Sequence, residues 1–249
     1  MGQIAETAPG SSGCLIAVGV GPGDPELLTL KAVREIRAAD VVVTPVGDRS
    51  DSSIALSIIE DHLDRSRQQV LTRTFPMRQP AEVMAKAWRE IAAEIAELVH
   101  AGQKVVFITL GDPMLYSTFL YLQFELNTDY PDVPISTVPG ISSIFAAAGN
   151  AQLPLGLGDD ALTIIPATSS EGKLKAALAA GGTVVFLKVY RAFSGIKSLL
   201  QQVGLERQAI YVRRLGLEGE KIIRDLADVN DEDLDYLSLI LVRSGGCDD

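Results

Sequence analysis

Along the first half of the chain, short apolar runs broken by glycine or proline alternate with longer stretches whose apolar residues recur every three or four positions. Leu15-Ile16-Ala17-Val18, Val41-Val42-Val43, Val105-Val106-Phe107-Ile108 and the run from Ile135 to Val138 have the unbroken apolar character of strands buried on both faces, as in parallel sheets. Helical spacing runs from Leu27 to Ile36, Ser52 to Leu63, Ala81 to Ala101 and Tyr116 to Leu126. Asp24-Pro25 is a helix start signal, a side-chain acceptor followed by a residue whose missing N–H costs nothing in the first turn, and Gly102 is a stop. The second half changes character. Leu162 to Ile165, Thr183 to Leu187, Ala209 to Val212 and Leu237 to Val242 are β-rich, with Ile222 to Leu226 as a further strand. Among them lie only two helical stretches, Gly172 to Ala180 and Ser194 to Gln202. The pattern predicts an α/β protein: an N-terminal parallel α/β sheet over residues 14–153, then a C-terminal mixed α/β domain over 159–244. The boundary is read from the Gly- and Pro-rich stretch Leu153 to Gly158, and residues 1–13 and 245–249 read as flexible tails.

With 47% hydrophobic and 22% charged residues, the 249-residue chain can bury a sizeable core, and disorder is excluded as its main state. It contains no uncharged apolar run of about 18 residues, so no membrane contact is expected. Asp and Glu number 32 against 22 Lys and Arg, a net charge of −10, which is not the basic footprint of a nucleic-acid binder. Cys14 and Cys247 stand at opposite ends of the sequence, and His62 and His100 are isolated. None of them has metal-ligand spacing, so no bound metal and no disulfide framework are expected. The N-terminus lacks the apolar core of a secretory signal, and a reducing cytoplasm is the expected setting.

The chemistry concentrates where glycines fall. Gly19-Val20-Gly21-Pro22-Gly23-Asp24, Leu110-Gly111-Asp112-Pro113 and Val138-Pro139-Gly140-Ile141-Ser142-Ser143 each end an apolar strand in a tight turn. Ligands of open α/β sheets bind at such strand ends, and glycine lets main-chain groups approach them without a Cβ in the way. One such turn is ordinary; three meeting at strand ends would cradle an elongated polar small molecule. The first turn is neither a dinucleotide fingerprint, because Asp24 stands at the sixth position, nor a phosphate loop, because no Gly-Lys-Ser/Thr follows. Nor does an acid precede its first glycine, as in the common Rossmann-type methyltransferase loop. A proline-stiffened turn followed by an acid fits a ligand that is neutral or cationic at that point.

The stretch Gly19 to Ala32, Gly19-Val20-Gly21-Pro22-Gly23-Asp24-Pro25-Glu26-Leu27-Leu28-Thr29-Leu30-Lys31-Ala32, resembles the N-terminal signature of the tetrapyrrole (corrin/porphyrin) methyltransferases. Thr109 to Pro113 and Val138 to Ser143 are similar to that family's second and third motifs, and the likeness runs from about Leu15 to Val242. Pro45-Val46-Gly47-Asp48-Arg49, Phe75-Pro76-Met77, the segment Thr109 to Phe119, Lys188-Val189-Tyr190-Arg191 and Tyr236 to Ile240 are similar to the precorrin-2 C-20 methyltransferases. Members that methylate uroporphyrinogen read Gly-Gly-Asp-Pro in the second motif, where this chain has Leu110 in place of the first glycine.

The resemblance implies a two-domain class III methyltransferase fold, a homodimer, and S-adenosylmethionine bound folded in the cleft between the domains as methyl donor. The acceptor would be C-20 of precorrin-2, giving precorrin-3A in cobalamin biosynthesis, or of cobalt-factor II; a non-catalytic tetrapyrrole-binding module is the alternative of another class. By motif carry-over, Pro22 would line the donor site, Leu110, Gly111, Asp112 and Leu115 would hold the donor's amino-acid portion, and Ser142 and Ser143 would lie close by. Lys188, Val189, Tyr190, Arg213 and Ser238 would close over the adenine, largely through backbone. Arg49, Tyr116 and Arg191 would meet the tetrapyrrole, whose carboxylates call for cations. No residue is singled out as a general base. The plainer reading of Asp112 is a turn residue before Pro113, and that of Trp88 is packing.

Overall fold

A computed structural model of the chain describes residues 13–47, 53–76 and 79–244. The two expected tails, apart from Gly13, lie outside the described residues, as do Arg49, Met77 and Cys247. Its contacts divide the chain into two compact units, with the division after Ser142.

The first unit is built on a five-stranded parallel sheet of β1 (Cys14–Gly19), β2 (Val41–Val46), β3 (Gln69–Thr74), β4 (Lys104–Thr109) and β5 (Ile135–Val138), in the order β3-β2-β4-β1-β5. The unbroken apolar runs are explained by their two faces. Leu15, Ala17, Val41, Val43, Val105 and Phe107 enter one core, under α3 (Ala81–His100) and α4 (Phe119–Asp129). Ile16, Val18, Val42, Val106 and Ile108 enter the other, under α1 (Leu30–Arg37) and α2 (Ile54–Ile59). A period of two with both faces covered makes every strand position apolar. From β1 the chain leaves through α1 towards β2, and from β4 it leaves through α4 on the opposite face towards β5. The neighbours β1 and β4 are therefore the topological switch point.

Two elements differ from the sequence expectation here. Asp24-Pro25 starts only a short 3-10 turn, Pro25–Leu27, and α1 begins afresh at Leu30, where the Thr29 hydroxyl accepts from Ala32 N at 3.1 Å. Strand β3 has no apolar run to announce it. It lies at the sheet edge, pairs only with β2, and carries polar residues on its open side.

The second unit opens with α5 (Ser143–Ala151), which the apolar pattern does not announce. The segment Phe145-Ala146-Ala147-Ala148 has high helix propensity, but it directly succeeds the third glycine turn. This helix is tied to two residues of the second unit further along the chain. Arg224 donates to Ala151 O at 2.8 Å, and Asn150 Nδ2 to Glu220 Oε1 at 3.0 Å. That is the physical reason the division falls upstream of the Gly- and Pro-rich stretch at 153–158. A second sheet, in the order β6-β7-β10-β8-β9, combines β6 (Leu162–Pro166), β7 (Gly182–Leu187), β8 (Ala209–Arg213), β9 (Lys221–Ile223) and β10 (Ser238–Ser244). Only β6 and β7 run parallel, so the unit is mixed, as expected. With α6 (Glu171–Ala179) and α7 (Phe193–Gln202) the sheet encloses a core around Phe186, Tyr211 and Ile240.

Candidate functional site

The three glycine turns meet. Beyond the ends of β1 and β4 the pairing continues through Val20 N to Thr109 O (2.9 Å), Gly111 N to Gly21 O (2.7 Å) and Gly21 N to Gly111 O (3.4 Å). The turn after β5 closes on both. A Cβ on Gly19 would stand 2.5 Å from Gly111 O and 2.6 Å from Gly140 N, and one on Gly140 would stand 2.1 Å from Gly111 O. No side chain fits at either position, so the approach of three main chains is possible only because both residues are glycine. Gly111 is different. Its φ is +70°, which favours glycine, and a Cβ built there meets nothing within 4 Å. The junction is closed beneath and open above Gly111, the shape of a main-chain cradle.

Asp112 braces this junction. Its Oδ1 accepts from Met114 N at 2.8 Å within its own turn, and its Oδ2 accepts from Gly140 N at 3.0 Å, tying the second turn to the third. The turn reading of Asp112 thus holds, and so does a further part that spacing does not reveal. Each carboxylate oxygen keeps a lone pair beyond these bonds, so a cationic group can still be received. Pro22 is buried in the first turn, Leu110 packs against the α1/α2 core, Leu115 is half-buried and Ser142 is buried. Tyr116 is 46% exposed and takes a left-handed φ of 51°. Such a backbone costs a residue with a Cβ about 1–2 kcal/mol, and such strain gathers at functional loops.

The remaining predicted residues lie in the second unit. Ser143 is the first residue of α5. Lys188 comes directly after β7, Arg213 ends β8 and Ser238 begins β10 opposite Arg213, so these three share one end of the second sheet. Lys188 and Arg214, just beyond their strands, are again left-handed at φ 59° and 49°. The Val189 side chain is in the core and its carbonyl accepts from Ala192 N at 2.7 Å. Arg213 Nη1 donates to Glu232 O at 2.6 Å and lies 3.7 Å from Asp233, while the Ser238 hydroxyl donates to Asp235 O at 2.6 Å. Arg213 Nε is buried and has no hydrogen-bond partner among the described residues, so this side chain keeps a donor beyond those contacts. Tyr190 and Arg191 are exposed. Asp233 is buried, and its carboxyl is held below the usual carboxylate range by the hydrogen-bonded Lys221 ammonium at 2.6 Å.

Sequence reasoning missed two hydroxyl pairs that tie strands to helices. Thr44 donates to Ser53 at 2.6 Å, and Thr109 and Ser117 share a hydrogen bond at 2.9 Å. Each joins a strand, Thr44 inside β2 and Thr109 at the end of β4, to a serine just ahead of the next helix, and that serine also accepts a main-chain N–H, from Leu56 or Phe119. A serine ahead of an apolar helical run was the available signal. Among the described residues no group of three or more His, Cys, Asp or Glu could hold a metal ion, and no helix is long and apolar enough to cross a membrane.

A parallel sheet with its glycine junction at the switch point, succeeded by a mixed α/β unit, defines a two-domain α/β fold with a main-chain cradle, and its relatives make it a methyltransferase. The chain belongs to the tetrapyrrole (corrin/porphyrin) methylases, whose family model matches residues 14–229. It is 38% identical over 233 residues to a cobalt-precorrin-2 C(20)-methyltransferase of Salmonella typhimurium, covering 93% of this chain and 97% of the relative. It is 32% identical over 238 residues to a precorrin-2 C(20)-methyltransferase of a Sinorhizobium species, covering 92% and 95%. Its fold is also that of the Thermus thermophilus uroporphyrin-III C-methyl transferase complexed with S-adenyl homocysteine, at a TM-score of 0.61, 23% identity and coverage of 93% and 97%.

Proposed function

We propose that this chain transfers a methyl group from S-adenosylmethionine to C-20 of a precorrin-2-type tetrapyrrole in cobalamin biosynthesis. The observation that carries the donor site is the junction of Gly19, Gly111 and Gly140, closed beneath and open on the Gly111 side. The C-20 position is supported by the two relatives that share 38% and 32% of their residues with this chain over nearly their whole lengths. The higher identity is with the enzyme named for the cobalt-bearing substrate, which favours that form.

When bound, the donor supplies an electrophilic methyl on a sulfonium that carries its own activation, so the protein's part is alignment and exclusion of water. Gly111 offers open main chain for the donor's amino-acid end, which Leu110 and Leu115 also hold, Asp112 fixes the second turn against the third, and Pro22 lines the site. In this reading Ser142 and Ser143 lie close by, and Lys188, Val189, Tyr190, Arg213 and Ser238 serve the adenine side mainly with backbone. Tyr116 and Arg191 are assigned to the tetrapyrrole, and so is Arg49 on the resemblance alone. The assembly is a homodimer in the cytoplasm, tested by a solution mass of two chains.

Incubation with labelled S-adenosylmethionine and either precorrin-2 or cobalt-factor II, then NMR of the product, tests the function. The expected result is one new methyl at C-20, formed faster on the cobalt substrate. Label at another carbon would refute the assigned position, and donor binding without turnover on either substrate would leave only the non-catalytic module.

A further inference from the structure

We propose that Thr109 and Ser117 are positioning residues for the methyl donor: their buried hydrogen bond holds the loop from Leu110 to Tyr116 in its bound shape. The inference rests on the donor site proposed above. Thr109 and Ser117 are only 5% and 6% exposed and stand eight positions apart, so their bond closes the loop at its two feet. Both feet are fixed further, as Thr109 O accepts from Val20 N at 2.9 Å and Ser117 Oγ accepts from Phe119 N at 3.1 Å. Between them the chain holds two left-handed residues, Gly111 at φ +70° and Tyr116 at φ 51°. Glycine takes that conformation freely, but tyrosine does so only where its surroundings impose it.

The pair does not serve the core. An apolar pair of the same shape buries as well and leaves no hydroxyl to satisfy, so exchanging both partners is often nearly neutral for stability. What the hydroxyls add is a directional bond, and it falls at the base of the one loop that carries Gly111, Asp112, Leu115 and Tyr116. Thr44, inside the neighbouring strand β2, makes a comparable bond to Ser53 at the start of α2, so two adjacent strands are each tied by a hydroxyl pair to the helix that succeeds them. A loop freed at its base would relax Tyr116 and tilt Gly111 away from the junction, and the donor would then have to restore that geometry on binding.

Calorimetry with S-adenosylhomocysteine on wild type, Thr109→Val, Ser117→Ala, their double variant and Thr109→Ser tests this, with thermal midpoints measured alongside. Thr109→Val and Ser117→Ala should each weaken binding about five- to tenfold, while the double variant binds no more weakly than Ser117→Ala, because the Thr109–Ser117 bond is lost in all three and the acceptor for Phe119 N is already lost in Ser117→Ala. Thr109→Ser keeps the hydroxyl and should bind as wild type does. Unchanged affinity in Thr109→Val, or losses that add in the double variant, overturns the proposal. A lowered midpoint with unchanged affinity assigns the pair to folding alone and overturns it as well. If Ser117→Ala does not fold, comparing Thr109→Val with Thr109→Ser decides the matter. Wild type that fails to bind S-adenosylhomocysteine removes the donor site itself, a result distinct from wild-type binding with unaffected variants.

Discussion

Two glycines of the same junction sit in opposite surroundings, and substitution should separate them. At Gly140 a methyl group would stand 2.1 Å from Gly111 O and 2.6 Å from the Gly19 carbonyl carbon, so main chain must move and all three turns are disturbed. At Gly111 nothing lies within 4 Å, and the cost is the left-handed backbone. Gly140→Ala should therefore lose about 1–3 kcal/mol or more of stability from overpacking. Gly111→Ala should lose about 1 kcal/mol from its backbone alone yet bind S-adenosylhomocysteine poorly, because its methyl occupies ligand space. Denaturant titration and calorimetry on the two variants check the split. A well-folded Gly140→Ala, or a Gly111→Ala with full donor affinity, would contradict the assigned geometry.

At the scale of the element, legibility in the sequence tracks covalent neighbourhood. Strands β1, β2 and β4 can be read because both faces are buried, and the glycine turns because glycine at a strand end has few other purposes. Strand β3 is hidden because an edge strand shows no apolar run, and α5 because its alanines adjoin a turn. The partners of Asp112 and Thr109 stand 28 and 8 positions away, and only the fold reveals which of many nearby donors each one meets. The same holds for Asp233, which reads as one acid among several yet joins Lys221, Arg213 and the main chain of Asn230 beside β8 and β9. Its carboxyl is held low, chiefly by the Lys221 hydrogen bond, so the charged form stabilises the folded state. That stability is present above the ordinary aspartate value near pH 4 and fades as pH falls through the lower folded value. The thermal midpoint of wild type should drop as pH falls below about 4, and Asp233→Asn should start lower and vary less over that range. An equally steep decline in the variant would place the acid sensitivity elsewhere.

The whole molecule carries a net charge of −10, and the proposed acceptor is itself a polycarboxylate. At long range the summed field opposes encounter, whereas at contact the nearby cations dominate; Lys188 and Arg191 are both exposed. Salt screens these two regimes unequally. The Debye length shrinks from about 30 Å at 0.01 M to about 10 Å at 0.1 M, which removes repulsion between distant charges while paired groups a few ångströms apart are screened far less. Raising ionic strength over that interval should therefore lower KM for the tetrapyrrole about two- to fivefold. KM for the donor should rise only slightly, because S-adenosylmethionine carries a single net positive charge for the field to act on. A protein whose charge steers its substrate gives the reverse slope. Initial rates at fixed pH across a salt series distinguish the two, and a tetrapyrrole KM that rises with salt would mean that the local cations, and not the acidic body of the chain, govern the approach.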